Sequence, residues 1–252
     1  MSRTAIVLAA GKGTRMKSDL PKVLHEICDR PMVAWVFDAC RKAGCDRIIG
    51  VIGHKAELVR ETFADDSDDI AWVEQTEQLG TGHAVMVCSD ELEKLEGPVI
   101  VVAGDGPLVR GETLKEVMDT HEKQGASCTL ATCILDQPAQ YGRIVRDENG
   151  QLKGIIEYVD ADDTQRAIKE VNVSIYCFDA ADLREMLPRL SNDNAKGEYY
   201  LTDVLGLMRE AGMKLAAVPA VPPQDVLSIN DKQQLAEVND IMAGRLAQES
   251  AE

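Results

Sequence analysis

Residues 5–22 read Ala-Ile-Val-Leu-Ala-Ala-Gly-Lys-Gly-Thr-Arg-Met-Lys-Ser-Asp-Leu-Pro-Lys, an apolar run followed by a turn of small and basic residues. The apolar run, Ala5–Leu8, predicts a buried strand. Small residues in the turn let backbone N–H groups approach a phosphate, and basic side chains neutralise its charge. The stretch therefore predicts a site for a polyphosphate ligand. The turn supplies four cationic side chains, those of Lys12, Arg15, Lys17 and Lys22.

This basic stretch lies in a strongly acidic chain. The first 25 residues hold five Lys or Arg and one Asp, whereas the 252-residue protein has a net charge of −16. A field of that sign repels nucleic acid and anionic lipid, so we expect neither as a partner. No apolar run approaches the roughly 20 residues that span a bilayer, and no secretory signal is visible, so we expect no membrane association.

The cysteine pattern predicts a cytoplasmic location. The seven cysteines are an odd number without Cys-x-x-Cys spacing, which argues against a disulfide framework or a structural zinc site. Cys128 and Cys133 lie five residues apart in one predicted strand, so their side chains should point to opposite faces. We expect reduced, mostly buried thiols.

Apolar runs alternate with helical periodicity through the first half of the chain. This βαβα order predicts an α/β fold, a Rossmann-like, mostly parallel sheet with helices on both faces. We expect strands at 5–8, 47–52, 70–73, 99–103 and 128–135, and helices at 31–43, 55–63, 81–92 and 113–124.

A β-rich lobe follows. Strands at 142–146 and 152–158 flank a hairpin turn, and the chain continues with a strand at 171–178, helices at 182–187 and 201–211, and a strand at 214–221. The last helix, at 232–247, is amphipathic. We expect one main domain over residues 1–230 and a C-terminal helix over residues 231–252. The sequence leaves open whether this helix packs on its own domain or on a second copy in a homo-oligomer.

Asp105 lies two residues beyond the end of the buried strand predicted at 99–103. A lone aspartate in this place often caps a turn, but ligands of open α/β sheets bind outside the carboxyl ends of strands. Mg²⁺ prefers one or two protein oxygens together with phosphates and water, so Asp105 and one distant oxygen ligand would suffice. Asn230, just before the last helix, would by itself be interpreted as a helix N-cap.

The motif at residues 8–22, at the end of the opening strand, resembles the L-A-A-G-x-G-T-R-M…P-K sequence of the sugar-phosphate nucleotidyltransferases. A dinucleotide-binding loop would need a third glycine where Met16 stands, and a Walker A loop would need Gly-Lys-Ser/Thr. A purely structural glycine turn leaves the basic residues unexplained. The matching residues are Leu8-Ala9-Ala10-Gly11-Lys12-Gly13-Thr14-Arg15-Met16 and Pro21-Lys22.

Within that family the chain is most similar to the bacterial N-acetylglucosamine-1-phosphate uridylyltransferases, over nearly its whole length. The resemblance implies the nucleotide-diphospho-sugar transferase fold. It implies an enzyme that converts UTP and N-acetylglucosamine 1-phosphate to UDP-N-acetylglucosamine, a cell-wall precursor, and pyrophosphate. It also implies Mg²⁺ as cofactor, bound by Asp105 and Asn230.

The resemblance assigns a role to each further motif. Arg15 and Lys22 would be catalytic, and Gln75 with Gly80-Thr81 would read the uracil edge, whose donor and acceptor a carboxamide can match. The implied nucleotide contacts are Leu8, Ala9, Ala10, Gly11, Lys12, Gly13, Gln75, Gly80, Thr81, Ala103 and Gly104. The implied sugar contacts are Gly142, Glu157, Asn172, Tyr199 and Thr202.

Three residues, at two places in the chain, depart from the family pattern. Val173-Ser174 follows Asn172 where Ser/Thr-Gly is usual, and Gly106 stands where a branched apolar residue is common. The sequence therefore leaves open another sugar 1-phosphate as substrate.

A non-catalytic module that senses a nucleotide sugar is the alternative from another class. Such a module would be expected to lack Lys22, Asp105 or Asn230, all of which are present. In the bifunctional members of the family, a left-handed β-helix acetyltransferase of hexapeptide repeats follows this region. Since no such repeat is present here, we expect only the uridylyl transfer.

Overall fold

The apolar run that opens the chain forms strand β1 (Thr4–Leu8), inside the central sheet. The computed structural model describes residues 2–156 and 158–250. Strands β4 (Arg47–Ile52) and β6 (Pro98–Ala103) flank β1, and both run parallel to it. Successive residues of β1 enter opposite cores, Ala5 and Val7 on one face and Ile6 on the other. A strand covered on both faces must be apolar throughout, as the sequence indicated.

The other strands extend this sheet. They are β5 (Ile70–Glu74), β7 (Cys128–Ile134), β8 (Arg143–Arg146), β9 (Leu152–Ile156), β10 (Glu170–Asp179) and β11 (Leu215–Val218). The sheet order is β11-β7-β10-β6-β1-β4-β5, and the β8–β9 hairpin attaches to β10. Strand β10 is antiparallel to β6 and β7, so its first residues lie at the same edge as the carboxyl end of β6.

Helices cover both faces of the sheet. The described helices are α1 (Met32–Lys42), α2 (Ala56–Thr62), α3 (Thr81–Met86), α4 (Ser89–Leu92), α5 (Gly111–Gln124), α6 (Asp163–Arg166), α7 (Ala180–Met186), α8 (Asp203–Glu210) and α9 (Lys232–Glu249). Helices α1, α2, α5 and α9 pack on one face, and α3, α4, α7 and α8 pack on the other. The predicted mostly parallel α/β sheet with a β-rich lobe is confirmed.

Some local predictions were wrong. The helix expected over 81–92 is two helices, because the chain tightens where the Cys88 N–H bonds the carbonyl of Val85, three residues back. A short hairpin of β2 (Glu26–Ile27) and β3 (Arg30–Pro31) was not predicted, and its two turn residues have positive φ without being glycine. Helix α6 was also not predicted; it begins among the aspartates of residues 160–163, with a capping box.

The cysteines are unpaired, and six of the seven are buried. Cys128 and Cys133 belong to the cores on opposite faces, as their spacing predicted. Burial raises the pKa of the Cys45 and Cys88 thiols to about 12. None of the described helices has the length and apolarity that a bilayer crossing requires.

Helix α9 packs on the same chain. Val238 and Met242 are buried in the core that it shares with α1 and α5, and Asn239 Oδ1 accepts the backbone N–H of Cys28 at 2.9 Å. The amphipathic face seen in the sequence is therefore used within this molecule.

A buried carboxylate ties α9 to two loops at the edge of the sheet. The Asp225 side chain is 1% exposed and accepts hydrogen bonds from Arg110 and from Arg245 of α9. Arg245 also donates to the carbonyl of Leu108 at 3.0 Å. The contact with Asp225 raises the pKa of Arg110, so the guanidinium stays charged.

Ser174 lies in an irregular stretch of β10. The register against β7 shifts between Asn172 and Tyr176, and Ser174 has φ of 58°, the left-handed region that favours glycine. The family pattern carries glycine at this place, so the departure seen in the sequence puts a side chain on a strained backbone.

The Asp225 contact yields a first stability prediction. We expect Asp225→Ala to lower the free energy of unfolding by about 3 kcal/mol, because it leaves two partly buried arginines without their counter-charge. Asp119 is a matched control, since it also contacts two cations but is 46% exposed. Asp119→Ala should cost less than about 1 kcal/mol. Urea unfolding compares the two variants, and equal losses would contradict the importance of burial.

A second prediction concerns Ser174. We expect Ser174→Gly to raise the free energy of unfolding by about 0.5–1 kcal/mol, because glycine adopts the left-handed conformation without steric cost. Ser127→Gly serves as control: Ser127 has no positive φ, so glycine there should destabilise by a similar amount. Thermal and urea unfolding measure both changes. A loss of stability in Ser174→Gly would show that the side chain matters more than the backbone.

Candidate active site

Three sequence motifs, the first at residues 8–22, the second at 74–84 and the third at 103–108, meet at one edge of the sheet because they follow the carboxyl ends of β1, β5 and β6. Backbone hydrogen bonds fix these ends to neighbouring strands: the Gly104 N–H donates to the carbonyl of Leu8 at 2.9 Å, and the Gln75 N–H donates to that of Ile52, the last residue of β4, at 2.8 Å. They surround a cavity of about 380 Å³. Its lining comprises Leu8, Ala9, Ala10, Gly11, Lys22, Val23, Gln75, Gln78, Gly80, Thr81, Ala84, Ala103, Asp105, Glu198 and Tyr200.

Beside this cavity the structure brings together the four residues predicted to be catalytic or metal-binding. The Lys22 ammonium forms an ion pair with Asp105 and lies 3.4 Å from Asn230 Oδ1. The Arg15 guanidinium donates to the same Asn230 oxygen at 2.8 Å. Arg15 and Asn230 are 215 positions apart in sequence, so only the fold places them together. The group combines two cations with a carboxylate and an amide oxygen.

Asn230 is not a helix cap. The cap of α9 is Asp231, whose carboxylate accepts the N–H groups of Gln233 and Gln234. The Asn230 side chain is thereby left for the cation cluster. The adjacent Ile229 N–H donates to the carbonyl of Asp105 at 2.9 Å and fixes the two loops to each other.

The turn after β1 depends on Gly13. This residue has φ of 60°, and a Cβ there would lie 2.5 Å from Cβ of Lys22. A side chain at this position would therefore displace Lys22 from Asp105. Lys12 is exposed on the same turn and, like Gly13 and Gly104, does not line the cavity.

The second motif lies across the cavity at the start of α3. Gln75 is 4% exposed, and its Nε2 atom lies 3.1 Å from the carbonyl oxygen of Gly80 and 3.0 Å from Nδ1 of His83. Both donor hydrogens of the carboxamide are thus used inside the protein. From the sequence we expected the Gln75 carboxamide to offer uracil both a donor and an acceptor. In this structure only its oxygen, the acceptor, is left for a ligand.

Several side chains that line the cavity were not predicted from the sequence. Gln78 belongs to the same motif as Gln75, and its Nε2 atom donates to the carbonyl of Ala10 at 2.7 Å, which joins the first and second motifs. Glu198 and Tyr200 flank the predicted Tyr199. Gln78 could have been predicted, because it is a second carboxamide three residues after Gln75 in the same motif. Glu198 and Tyr200 could not, because sequence does not determine how the irregular loop at 198–200 is oriented.

The residues assigned to the sugar are dispersed. Asn172 is buried. Its side-chain oxygen accepts the backbone N–H of Ser174, and its side-chain nitrogen donates to the Tyr176 hydroxyl at 2.8 Å. Its backbone N–H donates to the carbonyl of Gly142. Tyr199 does not line the cavity, and its ring stacks on His83. Thr202 lines a second cavity, between β9 and α8. Glu157 lies outside the described residues. The sugar contacts thus stay predictions.

The cluster has the oxygen donors that a Mg²⁺ site would need. Asp105 offers a carboxylate oxygen and Asn230 an amide oxygen. Both oxygens contact the Lys22 ammonium, so a positive charge already lies between them. Within the described residues no group of three or more His, Cys, Asp or Glu side chains is arranged for a metal. Two protein oxygens are nonetheless typical of Mg²⁺ when phosphates complete its shell.

Comparison with known proteins identifies the family of the chain. The family model for MobA-like NTP transferase domains matches residues 5–155. The Bifunctional protein GlmU of Clostridium acetobutylicum is 45% identical over 252 residues, which are 100% of this chain and 55% of that protein. The GlmU of Streptococcus thermophilus (strain CNRZ 1066) is 47% identical over 246 residues, 98% of this chain and 53% of that protein. The chain therefore spans about half the length of these curated relatives.

A solved structure establishes the fold independently. The crystal structure of a UDP-glucose pyrophosphorylase complexed with UDP-glucose matches with a TM-score of 0.75 at 16% identity, covering 97% of this chain and 100% of that one. The predicted nucleotide-diphospho-sugar transferase fold is thereby confirmed, as is the family resemblance of the first motif. The chain belongs to the family of MobA-like NTP transferase domains.

Proposed function

We propose that this chain catalyses uridylyl transfer from UTP to N-acetylglucosamine 1-phosphate, giving UDP-N-acetylglucosamine and pyrophosphate. The main support is the cluster of Arg15, Lys22, Asp105 and Asn230 beside a cavity lined by the first two motifs. The likeness to GlmU proteins over the whole chain supports the same reaction. We place the reaction in the cytoplasm, where unpaired thiols are stable.

The chemistry needs no general base. A phosphate oxygen of the sugar 1-phosphate, already an anion, forms a bond to the α-phosphorus of UTP. The bond from that phosphorus to the bridging oxygen breaks, and pyrophosphate leaves with the electron pair. The barrier lies in bringing two anions together, so positioning and electrostatic compensation must supply most of the catalysis.

Arg15 and Lys22 would provide this compensation. Both cations are held next to the cavity by Asp105 and Asn230, so they are oriented before a ligand binds. The fork of Arg15 can hold two phosphate oxygens, whereas the Lys22 ammonium acts as a compact charge. Phosphate oxygens would replace the protein oxygens as their partners.

Asp105 and Asn230 are the residues that would hold a Mg²⁺ ion once Lys22 turns to the phosphates. A bound Mg²⁺ would stabilise negative charge on the phosphate oxygens. Until then, the ion pair with the Lys22 ammonium holds the Asp105 carboxylate in place.

The base would bind in the part of the cavity lined by Ala10, Gln75 and Gly80. The small side chain of Ala10 and the bare backbone of Gly80 leave room for a flat ring. Gln75 retains its carboxamide oxygen as an acceptor, which suits the N3–H donor of uracil. Asn172 and Glu157 remain our assignments for the sugar hydroxyls and amide.

A pyrophosphate-release assay with a panel of substrates tests the proposal. We expect release with UTP, Mg²⁺ and N-acetylglucosamine 1-phosphate. Fastest release with glucose 1-phosphate or galactosamine 1-phosphate would instead identify another sugar. Nucleotide-sugar binding without release from any substrate pair would support a sensing module and overturn the proposal.

Two single substitutions test the cluster itself. We expect Lys22→Ala and Asp105→Ala each to lower kcat/KM by about 10²–10³, the usual cost of losing one preorganised electrostatic group. Lys123, exposed on α5, is a matched control, and Lys123→Ala should keep normal turnover. Circular dichroism and thermal unfolding verify that the variants fold. Near-normal turnover in Asp105→Ala would remove this residue from the metal site.

A further inference from the structure

Two hydrogen-bond acceptors of the α3 region hold the carboxamide of Gln75. Its Nε2 atom lies 3.1 Å from the carbonyl oxygen of Gly80 and 3.0 Å from Nδ1 of His83. A carbonyl oxygen can only accept, so the carboxamide atom that faces Gly80 is the nitrogen. Its second hydrogen then goes to Nδ1 of His83, and this assigns the imidazole proton to Nε2.

Both acceptors are fixed in place. The Gly80 carbonyl also accepts the Ala84 N–H at 3.1 Å and is thereby aligned by the first turn of α3. Gly80 has φ of 103°, and a Cβ there would lie 2.5 Å from the carbonyl oxygen of Tyr199. The ring of His83 stacks on that of Tyr199, with centroids 6.3 Å apart and planes inclined by 28°.

The orientation of this carboxamide has a chemical consequence. With both hydrogens used inside the protein, Gln75 has only its oxygen left for a ligand in the cavity that it lines. Uracil presents N3–H, a donor, to such an oxygen. Cytosine presents an unprotonated N3, whose lone pair would repel it. A carboxamide turned by 180° would have the opposite preference.

We propose that His83 sets the base specificity of the cavity by holding Gln75 with its oxygen toward the bound base. This inference rests on the proposed function, in which the cavity binds a nucleotide. His83 does not line the cavity itself and acts through Gln75, so it is a positioning residue. Without Nδ1 of His83, one N–H hydrogen of the buried Gln75 carboxamide loses its partner. Only the bond to the Gly80 carbonyl then opposes a 180° turn of the carboxamide.

The test compares UTP and CTP in His83→Phe. Phenylalanine keeps an aromatic ring against Tyr199 but has no acceptor. We expect the UTP-over-CTP ratio of association constants, measured by calorimetry without sugar phosphate, to fall about 5- to 10-fold, the loss that follows removal of one net hydrogen bond. The same ratio of kcat/KM values should fall in parallel. A merely structural defect would weaken both nucleotides equally and leave the ratio unchanged.

His83→Gln is the conservative control, because its carboxamide oxygen can replace Nδ1 as the acceptor. We expect it to hold the wild-type ratio within about twofold. An unchanged ratio in His83→Phe overturns the proposal. Equal drops in both variants overturn it as well, since the shape of the ring would then matter rather than its acceptor. His83→Ala replaces His83→Phe if the phenyl ring prevents folding.

The two proposals can fail separately. If the wild-type protein releases no pyrophosphate yet binds UTP more tightly than CTP, the proposed reaction fails and the binding ratios still test His83. If the wild-type protein turns over UTP and His83→Phe keeps the ratio, the reaction stands and the role of His83 is overturned.

Discussion

The ion pair between Lys22 and Asp105 is the interaction on which the site depends. It connects the turn after β1 with the turn after β6, and both side chains are mostly shielded from water. In such surroundings an isolated charge is costly, so each group needs the other. Asn230 adds a neutral oxygen that Lys22 and Arg15 share. Two cations can thus lie close together before any phosphate arrives.

The sheet explains why this pair can form. Parallel strands place their carboxyl ends at one edge, so loops that are distant in sequence become neighbours. The antiparallel strand β10 brings its first residues to the same edge, and Asn172 comes with them. Buried contacts behind the site, above all those of Asp225, hold the loops that carry Asp105 and Asn230. A rigid support of this kind suits a reaction in which positioning supplies much of the rate.

The sequence predicted those parts of the molecule that are determined locally. Strands β1, β4 and β6 are apolar because both of their faces are covered, and this is visible in any short window. The motif residues could be located because they follow these strands directly. The contact of Arg15 with Asn230 depends on the whole fold, and only the structure distinguishes Asn230 from Asp231 as the helix cap.

Other features of the site could not be predicted from the sequence, because they depend on local interactions that no sequence pattern shows. One example is the Gln75 carboxamide, whose two N–H hydrogens are bonded to Gly80 and His83 inside the protein. Residues 198–200 lie in an irregular segment, so periodicity could not tell that Tyr200 rather than Tyr199 lines the cavity. The break between α3 and α4 lies at the Cys88 to Val85 hydrogen bond, and the positive φ of Ser174 lies within the register shift of β10.

The attachment of Asn230 to the start of α9 has a thermodynamic consequence. Asp231 caps the helix next to Asn230, and Arg245, near the other end of α9, contacts the Asp225 loop. Any ligand that holds Asn230 in its present place therefore also favours the docked state of α9. By reciprocity, an interaction that strengthens the docking of α9 must tighten binding at Asn230 by the same factor. Amide hydrogen exchange along α9 would then report occupancy of a cavity that the helix itself does not line.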